Sequence, residues 1–396
     1  MAIEYRTPDE AEWPDLVRAD ARGFGWVPTQ QHLDERRPLI DLDRFRIAVD
    51  RGRIVGVVGA FAFDVTLPGG AAVPAAGVTW VAVAATHRRR GILTELIGRV
   101  HADAADRGDP VAMLFASEGG IYERFGYGIA STMRFIDIDR RSAQLRSGLP
   151  IDAGSVGYLD GDDARDHLAT TWERYRRTRG GEISRHAAWH DAVHVERERP
   201  SDGFSATHHL AHADGYAAYR IKEKWSGRPE NTMDIVEFAP VSAQAHLDLW
   251  HVLLGVDLVT SITVRNLPPD DPLPYLLTDV RPFGTSVMKD GFWANALDPA
   301  IAFGARTYGT TDRLVVEADG VRWAIESDGT DASCRRVRSR PDLVTDAPSL
   351  GALLFGGVRP SMLAGGRRLT ARADDVLRRA DAFFVVGRAP HCSTWF

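Results

Sequence analysis

The chain has 396 residues, 48 Lys plus Arg against 54 Asp plus Glu, and a formal net charge of −6. At roughly 100–200 residues per domain this length suggests two to four domains, and a content of 44% hydrophobic and 26% charged residues is that of ordinary folded protein, not of bulk disorder. The mild acidity excludes little beyond nucleic-acid binding, which needs a basic face.

The chain then reads as three α/β segments. Ile3 to Arg6 is a short strand, and Asp9 to Ala21 carries Ala11, Leu16 and Val17 near helical spacing. Phe45 to Val49 and Ile54 to Phe63 are strands joined by a tight turn at Asp50-Arg51-Gly52-Arg53. Pro68-Gly69-Gly70 marks a second turn. Val78 to Val83 reads as a buried strand, Gly91 to Asp106 as a helix with Ile92, Leu93, Leu96, Ile97 and Val100 on one face, and Val111 to Phe115 as another buried strand. Arg140 to Gly154 looks like a boundary. Beyond it come a helix at Ala164 to Thr178, a strand pair at Ala206–Ala211 and Tyr216–Ile221, a strand at Met233 to Phe238, a helix at Ser242 to Leu254 and a strand at Ser261 to Val264. This strand, helix, strand order repeats that of the first segment. After a break at Asn266-Leu267-Pro268-Pro269, strands at Leu314–Glu317 and Arg322–Ser327 and a helix at Asp374–Ala382 complete the pattern. Two cysteines, Cys334 and Cys392, cannot make a disulfide framework, and no Cys/His spacing points to a metal site, so a reduced, cytoplasmic setting fits best. The polar N-terminus lacks the form of an ordinary signal peptide, and no apolar run of about 18 residues spans a membrane.

The run Val81-Ala82-Val83-Ala84-Ala85-Thr86-His87-Arg88-Arg89-Arg90-Gly91-Ile92-Leu93 carries the most chemistry. A buried strand enters a basic turn that opens a helix, and the free N–H groups of a helix N-terminus favour an anion. Gly91 lets the backbone come close to a phosphate, and the arginines add positive charge. The bland alternative, a solvated charge run, places cations at the end of the helix dipole that disfavours them. The turn lacks the Lys-Ser/Thr of a P-loop and the glycine spacing of a dinucleotide fold.

Arg88-Arg89-Arg90-Gly91-Ile92-Leu93 resembles the R/Q-x-x-G-x-G/A signature of the GNAT N-acetyltransferases, with Leu93 where Gly or Ala is usual. The stretch Ala116 to Gly128, Asp271-Pro272-Leu273-Pro274-Tyr275-Leu276-Leu277-Thr278-Asp279 and Asp290-Gly291-Phe292-Trp293 are similar to the Eis-like (enhanced intracellular survival) acetyltransferases, along nearly the whole chain. The resemblance implies an α/β (α+β) chain of tandem GNAT-like domains followed by a sterol-carrier-like domain. Its expected bounds are 1–142 for the catalytic domain, 150–284 for a degenerate one and 285–396 for the third. It implies acetyl-CoA as cosubstrate, with Val81, Ala82, Val83, Arg88, Arg89, Arg90, Gly91, Ile92 and Leu93 holding it, and no metal. The acceptor is expected to be a primary amine of a small molecule, and the assembly a hexamer.

The resemblance also implies Tyr122 as the proton donor to the leaving thiolate; Tyr127 is the competing tyrosine and reads as packing. The carboxylate of Phe396 would act as base, the ring anchoring the tail. Ser117 either helps through its amide or simply ends its strand. Family members that acetylate aminoglycosides tend to carry acidic pocket residues, whereas here Trp395 neighbours the terminal residue, Trp26 stands where another acid is expected and Trp80 precedes the cofactor strand. Each reads equally as core packing or as the wall of an aromatic pocket that suits flat amines. The position usually held by Pro in the family's strand-to-turn run is Ala85. Competing readings are an acyl-CoA- or lipid-binding relic and a peptidyl-lysine acetyltransferase; a hydrolase lacks its nucleophile motif.

Overall fold

The computed structural model describes residues 3–198 and 203–396. It divides into two compact units, one made of Met1–Ser131 with Gly291–Phe396, the other of Thr132–Asp290. Among the described residues no helix is long and apolar enough to cross a membrane.

The first unit begins with β1 (Glu4–Arg6), α1 (Trp13–Phe24), α2 (Gln30–Arg36), β2 (Phe45–Asp50), β3 (Arg53–Thr66), β4 (Ala72–Val83), α3 (Ile92–Arg107), β5 (Val111–Phe115) and β6 (Gly128–Ile129). The expected strands are all present, but β3 runs on to Thr66 and β4 begins earlier, at Ala72, with Gly77 in its added part leaving room where a Cβ would clash with Phe63. The expected first helix starts at Trp13, after a single 3-10 turn at Glu10–Glu12. Short, polar α2 has no apolar periodicity and was not foreseen; Thr29 caps its N-terminus.

These strands form a seven-stranded sheet in the order β1-β2-β3-β4-β5, then strand Phe292–Ala296, then β6. The strand from the far end of the chain thus pairs antiparallel with both β5 and β6. On one sheet face, Ile92, Leu96, Ile97, Val100 and Ala104 of α3 pack into the core with Val58, Val78 and Leu114. The other face receives α1, whose buried stripe is Trp13, Leu16, Val17, Asp20 and Ala21. Asp20 is the anomaly in that stripe. It is 4% exposed, its Oδ1 has no hydrogen-bond partner, and burial pushes its carboxyl up to about 6 against a weaker opposing pull from Arg36.

The third segment adds a five-stranded sheet in the order Ala332–Arg336, Val321–Ser327, Asp312–Ala318, Leu343–Thr345, Leu369–Ala371. Its helix Ala347–Leu354 lies directly on strand Phe292–Ala296 and on β6. A Cβ at Gly351 would stand 2.1 Å from the Ala294 carbonyl oxygen, and one at Gly128 would stand 1.8 Å from that of Pro348. Buried Arg306 donates to the carbonyls of Leu353, Leu354 and Phe384 at 2.7–3.1 Å, tying together the C-terminal ends of two helices. This meets the orphan carbonyls and the negative dipole end of each.

The second unit is a sheet in the order Phe283–Asp290, Thr132–Asp139, Val259–Leu267, Asn231–Pro240, Gly215–Lys222, His208–His212, Gly157–Leu159. Strand Thr132–Asp139, which a boundary at 142 would leave with the first domain, pairs inside this sheet on both edges. The repeat read from the sequence is there: strand Asn231–Pro240, helix Ala243–Gly255 and parallel strand Val259–Leu267 follow the order of β4, α3 and β5. The helix Ala187–Glu198 was not anticipated.

Two tests follow from this packing. Gly351→Ala is expected to cost about 1–3 kcal/mol by overpacking, seen as a lower denaturation midpoint with unchanged secondary structure. For Asp20 the folded carboxyl titrates above its unfolded value of 3.8, near 6. Its stabilising contribution is therefore fully present below the unfolded value and is lost as pH rises through about 6, a difference of up to about 3 kcal/mol. Asp20→Asn should flatten the stability–pH curve of the wild type across that window, as read by urea denaturation from pH 4 to 8.

Candidate active site

Strands β4 and β5 run parallel and pair only at Ala75↔Val111, Ala76↔Ala112 and Gly77↔Met113. Beyond Gly77 the two strands part. On its other edge β4 stays paired with β3 as far as Val83, with a bulge at Trp80, whose φ is +53°. The Ala84 N–H donates to the Val55 carbonyl at 2.8 Å. Antiparallel alternation then turns the backbone groups of Ala82 toward β3 and leaves those of Val81 and Val83 on the open edge.

The cleft that opens there has a volume of about 1350 Å³. Val81, Ala82, Val83, Arg88, Arg89, Gly91, Ile92 and Leu93 all line it, as do Ser117 and Tyr122. The sequence-derived cofactor set is therefore gathered in one place except for Arg90, which is exposed and off the cleft wall. Leu93, expected on the core face of its helix, packs against that core and also lines the cleft. The turn before α3 is shaped by two left-handed residues, Arg89 at φ +61° and Gly91 at φ +78°. Gly91 is the N-cap residue and offers no side chain to the first-turn N–H groups, which are left for an anion. A bond of 3.0 Å between His87 Nε2 and the Asp50 carboxylate anchors this turn to the end of β2.

Across the cleft, Tyr122 lies in the irregular segment after β5, between two single 3-10 turns. Burial, and secondarily the nearby Glu118 carboxylate, pushes its hydroxyl up to about 12, so it is protonated throughout the neutral range. Tyr127 is fully buried away from the cleft, its hydroxyl sharing a 2.8 Å hydrogen bond with His101 Nε2. Wall residues that sequence reasoning missed are Glu118 and Arg124 beside Tyr122, and Arg22, Gly23 and Phe24 at the end of α1. Glu118 stood inside a motif already noted, whereas the α1 residues carry no local signal. Gly23 had a packing reason: a Cβ there would fall 2.7 Å from that of Ala82.

The aromatic residues sort differently. Trp80 stacks on Trp13 with ring centroids 5.8 Å apart and meets Phe45 edge-on, in the core and off the cleft wall. Trp26 is covered by the Arg36 guanidinium at 4.8 Å and the His32 ring at 5.3 Å, also off the wall. The tail ends at the fork. His391, Cys392 and Thr394 are buried, and the Phe396 ring sits 5.2 Å from Phe63 and 5.3 Å from Phe115. Gly77, the last residue of β4 paired with β5, makes room for it, since a Cβ there would come within 3.1 Å of that ring. Trp395 is 58% exposed and stacks on Phe115 at 4.3 Å.

In the second unit the corresponding region is built differently. Strand Asn231–Pro240 outruns its last parallel pair, Ile235↔Val264. Just beyond, buried Glu237 accepts from Arg185 at 2.7 Å, and Arg185 lies 3.4 Å over the Trp172 ring. The following helix is capped by the Ser242 hydroxyl, which accepts from the Ala245 N–H. The helix start that corresponds to that of α3 is thus closed by a side chain in this unit.

Comparison with known proteins agrees with this architecture. Acetyltransferase (GNAT) domain profiles match residues 4–130 and 181–296, and a sterol carrier protein domain profile matches residues 302–393. N-acetyltransferase Eis of Mycobacterium tuberculosis is 33% identical over 396 residues, covering 97% of both chains. An uncharacterised N-acetyltransferase of Streptomyces avermitilis is 32% identical, with 98% of both chains covered. The crystal structure of Eis1 from Mycobacterium abscessus superposes with a TM-score of 0.90 at 32% identity over the whole of both chains. Acetyltransferases of this type draw the acetyl group from acetyl-CoA. An open strand edge, an uncapped helix start and two arginines fit a pantetheine arm and its diphosphate. With this cleft in its first domain and two further domains of the matching kinds, the chain belongs to the Eis family of GNAT N-acetyltransferases.

Proposed function

We propose that the chain transfers acetyl directly, in a ternary complex, from acetyl-CoA to a primary amine of a small molecule. The observation that carries this reading is the fork between β4 and β5, with the Tyr122 hydroxyl on one side and the Phe396 seat at its root. The free edges of Val81 and Val83 would take the pantetheine amides. The N–H groups of Ile92 and Leu93, with Arg88 and Arg89, would take the diphosphate; Arg90 contributes charge from outside the wall. Acetyl-CoA supplies an activated thioester. Tyr122 holds the proton that the departing thiolate needs, and its raised pKa keeps it loaded at neutral pH. The Ser117 amide would aid polarisation of the reacting carbonyl. The carboxylate at Phe396 takes the proton from the amine, directly or through one water, the ring fixing its position.

The acceptor side of this reading is aromatic, built from Trp395 and Phe396 with Phe63 and Phe115. Trp26 and Trp80, packed on other partners, take no part in it. Such walls favour flat or arylalkyl amines over polycationic aminoglycosides, whose ammonium groups need carboxylates. Hexameric assembly is part of the reading on family resemblance. A lipid-binding relic without turnover is the alternative, favoured only by the sterol-carrier match.

Thiol release from acetyl-CoA, measured with a panel of arylalkyl amines and aminoglycosides, tests the reading. Amine-dependent release with the arylalkyl amines ahead is expected; release with none of them would favour the relic. Tyr122→Phe should lower kcat by roughly 100-fold or more while leaving the acetyl-CoA KM little changed. Residues added after Phe396 should suppress turnover without loosening acetyl-CoA, as measured by calorimetry.

A further inference from the structure

Tyr122 sits in a stretch with no regular element to hold it. Its carbonyl accepts from the Phe125 and Tyr127 N–H groups at 2.9 and 3.3 Å, and Gly126 turns the chain at φ +88°. These bonds fix the local loop but not its position relative to α3, whose open N-terminus faces the same cleft. A thiolate and its proton donor must meet within hydrogen-bond distance, so loop and helix need a common reference.

Tyr122 shares the apolar core with Ile92 and Leu96 of α3, and among the described residues a hydrogen bond adds a directional connection of that kind. The Tyr127 ring meets the Tyr122 ring edge-on, with centroids 6.1 Å apart. At its far end the Tyr127 hydroxyl shares a 2.8 Å hydrogen bond with Nε2 of His101, and that imidazole also packs against the Tyr127 ring at 5.4 Å. His101 belongs to α3, nine residues past Ile92, or about 13 Å down the helix. Tyr127 is fully buried and His101 partly so. Burial raises the Tyr127 hydroxyl well above its usual value and lowers the imidazole to about 4. The bond therefore joins two neutral groups at neutral pH.

We propose that the Tyr127–His101 hydrogen bond is a positioning clamp that registers Tyr122 on helix α3 and so on the end of that helix facing the cleft. Tyr127 acts through Tyr122 and touches neither substrate. The clamp rests on the reading of Tyr122 as the proton donor. Its mark is loss of turnover without loss of binding, because the cleft wall itself is not altered.

The experiment is a double-mutant cycle in steady-state thiol release, with thermal denaturation in parallel. Tyr127→Phe keeps the ring and removes only the hydroxyl. It is expected to lower kcat roughly 10-fold or more, with both KM values within about twofold, as a displaced catalytic group does. His101→Leu should lower kcat similarly, and His101→Gln, which can still bond the hydroxyl, should recover much of it. In the Tyr122→Phe background, Tyr127→Phe should have no further effect. An equal loss in both backgrounds, or a kcat loss that merely follows the denaturation midpoint, would make the pair structural and overturn the proposal. Unchanged kcat in Tyr127→Phe would overturn it as well. If Tyr122→Phe alone keeps full turnover, the donor assignment fails and the clamp falls with it.

Discussion

The structure depends on the parting of two parallel strands. Paired strands satisfy one another's backbone groups, and a strand edge left open inside a protein is costly unless something else meets it. After Gly77 and Met113 the sheet of the first unit gives up that pairing. The compensation is arranged around it: β3 holds the other edge of β4, strand Phe292–Ala296 holds the other edge of β5, and packing of α1 and α3 covers both faces. What is left exposed is a short edge and one helix start, both aimed into one cleft.

The second unit shows what happens when the same architecture is released from that task. Beyond its last parallel pair the strand carries the buried Glu237–Arg185 ion pair, and its helix start is capped by Ser242. A buried ion pair of this kind satisfies groups that would otherwise be orphaned. The contrast between Gly91 and Ser242 is a difference of one side-chain oxygen at equivalent helix starts. It turns an open helix start into a closed cap.

The legible part of the molecule was the local part. The basic turn at Arg88 to Gly91 declares itself because strand, turn and helix signals are contiguous and the charges sit at the unfavourable end of a dipole. Tyr122 needed the family resemblance, since a tyrosine after a strand has no signature of its own. Arg22, Phe24 and Glu118 went unread because their place in the wall follows from how α1 and the post-β5 segment pack. For Trp26 and Trp80 the aromatic character was plain, but which partners would cover them, Arg36 and Trp13, was a tertiary fact. The pairing of strand Phe292–Ala296 with β5 joins residues nearly 180 positions apart, beyond the reach of periodicity.

That distant strand bears on how the molecule is made. The sheet carrying the cleft stays incomplete until residue 296 has left the ribosome, and its covering helix Ala347–Leu354 arrives later still. During synthesis the Thr132–Asp290 unit, contiguous in the chain, can close on itself while the N-terminal strands wait with β5 open along one side. Non-local closure of this sort is slow. The acetyltransferase cleft is therefore among the last features of the chain to form, although the residues lining it are among the first to be translated.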